Sequence, residues 1–335
     1  NDYSQGKNAD AQYLRFVDNK NISEEITPDN KVFYINLNNA GQETVNAVGK
    51  KAKTNNVPST YAMFFNPANE LFSDARVRQA LSLAIDRQAL VATAPVKLSA
   101  ANGFVPFGIT DKKANDSFRE NGGDVISTSA NIDQAKKLLK QAGVSGGTIT
   151  IECSTYRGFE ENMLKVVAES WKKLGFKVEY DAYRTDYIYN KANGKVVFDQ
   201  NDADVICYDI TSMSTDAYSM LTGFSGEFGG GFIDVTTGPD KDDVIYNANY
   251  TGFIDKDYDK LCQEFILENS AEKRSEKMHN AEKYLAEFMP VIPLFFESDT
   301  YISAKLSNFE KDKFGRLDFT ELKQSGFKKY LTLEN

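Results

Sequence analysis

The sequence predicts an α/β protein with a mixed parallel sheet flanked by helices, and three observations predict it. First, TITIEC at 148–153 alternates in the strand manner, and residues 160–174 carry Met163, Val166, Val167, Ser170 and Leu174 on one helical face. Gly175 stops that helix and FKVEY at 176–180 alternates again. Strand, helix, glycine stop and strand make a βαβ unit, whose two strands run parallel. Second, the apolar run 61–65 meets Asn66-Pro67, and proline pushes the residue before it out of helical geometry. An amphipathic helix follows, with Val77, Ala80, Leu81, Ala84, Ile85 and Leu90 near helical spacing and Ser73 or Asp74 as its cap. Third, two strong helical patterns at 257–269 and 271–288 lead through Pro290 into a buried strand at 291–296.

Taken in order, residues 1–59 are polar and rich in Asn and Lys, with strand-like alternation at 11–17 and 31–37 and a short helix within 40–53. After the 66–91 stretch, ANGFVPFG at 101–108 sets a loop through Pro106 and Gly108. NIDQAKKLLKQA at 131–142 is a compact helix capped by Asn131, and Gly143 supplies its left-handed end. DVICY at 204–208 is a short strand, 216–224 a helical turn and EFGGGF at 227–232 a flexible loop. Short strands at 305–309 and 330–334 end the chain. At 335 residues the chain is long enough for about two domains or lobes.

A net charge of −9 argues against nucleic acid or an anionic membrane surface as a partner, because both call for basic patches. No apolar run approaches the roughly 20 residues of a membrane span. Asn1-Asp2-Tyr3 has neither a charged n-region nor an apolar h-region, so the sequence is expected to start after a processed leader or within a longer chain. Cys153, Cys207 and Cys262 form no C-x-x-C pair and are expected as buried free thiols. The single histidine, His279, sits in a helical pattern without an obvious partner and is expected on the helix surface. One imidazole excludes zinc sites built from several and leaves little scope for Ser-His-Asp chemistry.

Other patterns weigh against chemistry. The glycines at 226–231 are not followed by the Lys and hydroxyl of a phosphate loop. Asp255, Asp257 and Asp259 alternate like a calcium loop, but Lys260 stands where Gly is needed and Ile266 where Glu is needed. They read better as acidic residues in the first turn of a helix. The pairs Glu160-Glu161, Asp202/Asp204 and Asp242-Asp243 are too close in sequence for two carboxylates to flank a glycosidic bond. Arg76 and Arg78 are expected in salt bridges that pack the helix at 75–91. Asp209 differs, because it follows a short apolar strand at the carboxyl end of a parallel sheet, where ligands of open α/β sheets bind.

The string F-x-D-x-R-V-R-Q-A-L-S-x-A-I-D-R-x-A-L at 72–90 resembles the signature of the peptide/nickel-type (family 5) extracellular solute-binding proteins of ABC importers. Four further strings resemble that family in its order. They are Ala135–Gly143, Trp171–Glu179, T-G-F-x-x-x-x-Y-D-K-L at 251–261, and P-V-I-P-L-F at 290–295, the last expected to cross from one lobe to the other. The resemblance implies a periplasmic-binding-protein-like (type II) fold of two lobes, with 60–295 as the large second lobe and 1–59 and 296–335 in the first. It implies that the chain is the C-terminal portion, without the family's N-terminal segment and small extra domain. Phe104 lies in a loop that resembles the proline-bearing loop running past the ligand cleft. Peptide-binding members carry G-W-x-x-D-Y-x-D-P further on, with an Asp that takes the ligand's terminal ammonium. This chain instead reads C-Y-D-I-T-S-M-S-T-D-A-Y at 207–218, so Asp209 is displaced in register and Asp216 stands nearer the later Asp. Tyr208, Met213 and Tyr218 are the remaining ligand-site candidates.

The function implied is that of a non-enzymatic binding subunit, without cofactor or metal. It would capture an oligopeptide and deliver it to a membrane permease and its ATPase. Nickel held by imidazoles is disfavoured by the single His, while a metal inside an organic chelator stays open. The Asn and Lys content fits a low-GC Gram-positive source and hence a lipid-anchored, extracellular protein at the cell surface, with a periplasmic location as the alternative; a monomer is expected. The competing classes are a carboxylate-dependent, glycosidase-like hydrolase and a sensor or adhesin that retained the fold.

Overall fold

The computed structural model describes residues 15–16, 34–38, 45–46, 52–113, 116–154, 157–183, 196–198, 203–212, 214–229, 233–236, 244–246, 249–303, 306–307, 310–311, 317–318 and 323–324. The strands expected at 11–17 and 31–37 appear as β1 (Arg15–Phe16) and β2 (Tyr34–Asn36). The chain continues through β3 (Lys53–Phe65), α1 (Ala75–Ala84), α2 (Arg87–Val91), β4 (Ser99–Ala100), α3 (Phe118–Gly122) and α4 (Ile132–Ala142). Next come β5 (Gly147–Ser154), α5 (Glu160–Lys172), β6 (Phe176–Tyr183), β7 (Val196–Phe198), β8 (Val205–Thr211), α6 (Tyr218–Leu221), β9 (Ile233–Thr236) and β10 (Val244–Tyr246). Helices α7 (Lys256–Ile266) and α8 (Ala271–Phe288) precede β11 (Val291–Ser303), and β12 (Leu306–Ser307), β13 (Glu310–Lys311), β14 (Leu317–Asp318) and β15 (Lys323–Gln324) follow. The strand expected at 330–334 lies outside the described residues.

The chain divides into two compact units: Asn1–Val57, Pro95–Lys97 and Ser298–Asn335 in one, Pro58–Ala94 and Leu98–Glu297 in the other. In the smaller unit β1 runs parallel to β2, and β2 pairs antiparallel with Tyr301–Ser303 of β11. Asp299 accepts from the side chains of Asn36 at 2.6 Å and Asn38 at 3.2 Å. Two short antiparallel pairs, β12 with β15 and β13 with β14, also belong to this unit.

The larger unit is organised by a mixed sheet in the order β11, β3, β8, β5, β6. Its expected βαβ core is present, with β5 and β6 parallel in register from Gly147↔Phe176 to Ser154↔Tyr183. Gly175 takes φ +95° between α5 and β6, and a Cβ there would meet the Ser145 carbonyl oxygen at 2.7 Å, so only glycine closes this turn without strain. β8 lies parallel to β5 and antiparallel to β3, with Phe65↔Val205 through Ser59↔Thr211. Burial on both faces explains why residues 61–65 read as a continuous apolar run rather than an alternating one. Ala62, Phe64, Ile206 and Ile210 share one buried cluster with Tyr258 and Phe265 of α7 and Met278 and Leu285 of α8. A separate three-stranded sheet joins β10, β9 and β7.

The 66–91 stretch begins as its sequence requires and then departs from it. Asn66 Oδ1 accepts from Ala68 N, and Asp74 rather than Ser73 caps α1 by accepting from Arg76 N. The single helix expected here is two, because Ile85 is extended and Asp86 starts α2 by accepting from Ala89 N. The buried Arg87 holds this break in place, donating to the carbonyls of Ser82, Ser127 and Pro293. Arg76 pairs with Asp74 in an exposed salt bridge, as expected, but among the described residues Arg78 pairs with backbone carbonyls instead. Its buried guanidinium donates to the carbonyls of Phe72, Ser73, Phe288 and Met289, so it satisfies the open carbonyl end of α8. Burial lowers its pKa to about 10, and that of Arg87 to about 9. Helix α4 is capped as expected: Asn131 Oδ1 accepts from Gln134 N, and Gly143 sits in the left-handed region at φ 74°.

Candidate functional site

Strand β8 is longer than its apolar run and carries Asp209 within it rather than beyond its end. Asp209 sits opposite Tyr61 of β3, and Cys207, two residues earlier, points to the same side. On that side three elements bring charge together. Arg157 lies between β5 and α5, Glu160 starts α5, and Glu297 is the first charged residue after the apolar part of β11.

Arg157 is the centre of the group. Its Nη2 donates to Asp209 Oδ1 at 2.8 Å and to Glu297 Oε1, and its backbone N–H donates to Glu160 Oε1 at 2.8 Å. Its guanidinium lies over the Tyr61 ring at 4.4 Å from the centroid, and Tyr61 stacks on Phe295 at 4.9 Å. The Tyr61 hydroxyl lies 3.2 Å from Cys153 Sγ. The exposures grade outward: the side chain of Glu160 is fully buried, that of Arg157 is 7% exposed, that of Glu297 14% and that of Asp209 26%.

One cation therefore serves three carboxylates. Burial raises the pKa of Glu297 to about 8, with the Asp209 charge adding to it and Arg157 opposing it. At neutral pH the Asp209–Glu297 pair holds a proton. Burial also works against the charge of Arg157, but Asp209 and Glu297 outweigh it and its pKa is raised. The result is a guanidinium held by both acids, beneath a carboxylate rim that keeps one proton at neutral pH.

This gives a test by pH. Glu297 binds its proton more tightly folded than unfolded, so the stability it contributes is complete below about 4.5 and is lost as pH rises through about 8. Glu297→Gln should melt at a nearly constant temperature over pH 5–9 at this site, whereas the parent should fall relative to it. Parallel pH profiles for the two proteins would contradict the assignment.

The other candidate residues are placed elsewhere. Tyr208 is 47% exposed and points to the opposite sheet face from Asp209, since neighbours in a strand alternate. Asp216 and Tyr218 come together around Arg274, whose Nη1 lies 2.8 Å from Asp216 Oδ2 and whose guanidinium lies 5.9 Å from the Tyr218 ring centroid. Phe104 is buried, edge-on to Phe224 at 5.7 Å. Met213 lies outside the described residues. Arg157, Glu297 and Tyr61 were missed by sequence reasoning. Two of them had a signal: Arg157 follows a parallel strand at its carboxyl end, and Glu297 ends the apolar run of β11.

Among the described residues, His279 and Ser275 do not form a nucleophile–base pair. His279 is not on the surface as expected but stacks on Phe118 at 4.0 Å between centroids, with Nε2 3.4 Å from Asp111 Oδ2. Ser275 donates to that same Asp111 and not to the imidazole, so no base faces a nucleophile. Asp255 caps α7, accepting from Asp257 N and Tyr258 N. Asp259 accepts from Ser225 Oγ and Gly226 N, which ties down the start of the glycine loop; Gly230 and Gly231 lie outside the described residues. Among the described residues no group of three or more His, Cys, Asp or Glu could hold a metal ion, and no helix is long and apolar enough to cross a membrane.

Residues 2–232 match the model of the bacterial extracellular solute-binding proteins, family 5 (middle). The di/tripeptide-binding protein 1 of Pseudomonas aeruginosa is 26% identical over 317 residues, which cover 85% of this chain and 53% of that protein. The dipeptide-binding protein DppE of Bacillus subtilis is 26% identical over 249 residues, covering 72% and 41%. The chain thus spans about half the length of the curated relatives it matches. Among solved structures, Listeria monocytogenes OppA bound to peptide superposes with a TM-score of 0.66 at 20% identity, over 92% of this chain and 57% of that one. The substrate-binding domain of an oligopeptide ABC transporter from Bacillus anthracis gives 0.66 at 18% identity, over 88% and 55%. These structures share the fold, and the match over 2–232 establishes the kinship: the chain belongs to the bacterial extracellular solute-binding proteins of family 5.

Proposed function

We propose that this chain is part of the substrate-binding component of an ABC importer, and that the whole protein captures a short peptide between two lobes and hands it to a membrane permease. The lobes would divide near residues 59 and 296, and the protein would act outside the cytoplasmic membrane, held by a lipid anchor, as a monomer. Family membership supports the class, and one observation carries the ligand type. Asp209 and Glu297 share a proton at neutral pH and keep some exposure to solvent, so an arriving cation can take the place of that proton and leave both carboxylates charged. Such a rim suits a cationic group, as a peptide's terminal ammonium is, and repels a lone carboxylate. Arg157, already bonded to both acids, is a support for them rather than a receptor for the ligand's carboxylate.

Isothermal titration of the whole protein against a mixed library of short peptides tests this reading. Binding is expected in the micromolar range or tighter. It should weaken about tenfold or more in Asp209→Asn, since a charge-assisted hydrogen bond is worth about 1.5–3 kcal/mol. Heat with no peptide in the library would sink the peptide reading, and equal affinity in the variant would remove Asp209 from the site.

A further inference from the structure

Two of the three cysteines are neighbours in space. β5 and β8 pair in parallel through Ile151↔Val205 and Glu152↔Ile206, so the next step of the same register sets Cys153 beside Cys207. Residues at matching positions of adjacent strands point to the same face, and strands lie about 4.8 Å apart. That spacing falls inside the roughly 4.4–6.8 Å Cα window of a disulfide. The two thiols are close enough to hydrogen-bond to each other, and both are buried, at 0% and 3% exposure. Cys262 is apart from them, on α7, with Tyr258 and Ser225 as its neighbours.

We infer that Cys153 and Cys207 are a redox pair that closes into a cross-strand disulfide in an oxidising compartment, locking β5 to β8 at the strand ends that carry Arg157 and Asp209. The oxidant is a small-molecule disulfide such as oxidised glutathione. One cysteine thiolate attacks it and releases one glutathione thiol. The second thiolate then attacks the mixed disulfide and releases the other. Two electrons and two protons leave the protein for two glutathione thiols, and one S–S bond forms in the chain as one is reduced outside it. The inference is independent of the ligand and of the importer reading.

Timing follows from burial. Hydrogen bonding to Cys153 and then burial raise the pKa of Cys207 well above that of a free thiol, so the folded dithiol is a poor nucleophile. The pair should close while β8 is docking and resist exchange afterwards. Once closed, it constrains the unfolded chain across the whole segment between β5 and β8, which contains α5, β6 and β7.

The test is to unfold and reduce the full chain, refold it in a reduced/oxidised glutathione buffer, alkylate it in denaturant, and map the peptides by mass without reduction. One alkylated thiol per chain, at Cys262, with a Cys153–Cys207 cross-linked peptide is expected. The melting temperature should stand about 5–10 °C above that of the reduced sample. Cys262→Ser should show no free thiol after the same treatment. Three alkylated thiols, stable glutathione adducts without a cross-link, or a cross-link through Cys262 would overturn the inference. If refolding yields are low, the same thiol count on Cys262→Ser held with oxidised glutathione at the midpoint of its urea transition, where the chain opens and closes repeatedly, decides it: two thiols retained overturns it, none retained supports it.

Discussion

Replacing Arg157 by Ala is expected to cost about 3–5 kcal/mol and to lower the melting temperature of the larger unit by roughly 6–15 °C. The size follows from what is left behind. Asp209, Glu297 and Glu160 would lose the guanidinium they share, and the fully buried Glu160 has no hydrogen-bond partner for Oε2 among the described residues. Glu297 would respond by holding its proton to a pH above 8, because the one charge that opposes the rise is gone. The variant should therefore be least stable at alkaline pH and recover part of its loss near pH 5. Arg157→Lys should restore less than half of it. A lysine is a point charge without the planar fork that serves two carboxylates and without the flat face that lies on Tyr61. Adding Glu297→Gln to Arg157→Ala should recover about 1–2 kcal/mol at alkaline pH, where Glu297 must otherwise give up its proton, measured as the coupling energy of a double-mutant cycle in urea. Additive effects of the two changes would mean the groups do not interact.

Local rules carried the fold far into the sequence. The βαβ unit was legible because alternation, helical spacing and a glycine stop all agreed, and each is a short-range property. The cap at Asn131 and the left-handed Gly143 were legible for the same reason. What the sequence hid depended on partners far along the chain. Nothing local to RVRQALSLAIDRQAL says that Arg78 will reach the carbonyls of Phe288 and Met289, or that Arg87 will find Pro293. Those two buried cations are why one expected helix became two and an expected salt bridge became a helix cap. The candidate site shows the same division. Asp209 could be singled out from the end of an apolar run, but its neighbours Arg157 and Glu297 are joined to it only by sheet pairing. Tyr208 was grouped with Asp209 because they adjoin in sequence, and the alternation of a strand sends them to opposite faces.

Glu282→Ala should be at least as damaging as the loss of Arg157, because it removes the partner of a cation with no access to water. Glu282 Oε1 accepts from Phe104 N and Val105 N, each at 2.9 Å, and from Arg119 Nη1, and both side chains of the ion pair are fully buried. Breaking a buried pair from one side costs about 3–5 kcal/mol, and each backbone N–H left without an acceptor adds about 1–3 kcal/mol. Glu282→Gln separates the two contributions. The amide oxygen can still serve Phe104 and Val105, so this variant should lose mainly the charge pairing. Replacing both Arg119 and Glu282 by Met removes the stranded charge and should recover stability relative to Glu282→Ala. It should not reach the parent, since the two amides stay unpaired. Hydrogen exchange reads those amides directly. They should be strongly protected in the parent and in Glu282→Gln, and exchange at least tenfold faster in Glu282→Ala and in the double Met variant. Gly103 adds a constraint from packing: a Cβ there would overlap the Arg119 guanidinium at 1.7 Å. Residues 101–108 are thus held by a fixed anchor as well as by their own turn sequence, in which Gly108 takes φ 87°. A double Met variant as stable as the parent, with protected amides, would show that the loop holds its place without Glu282.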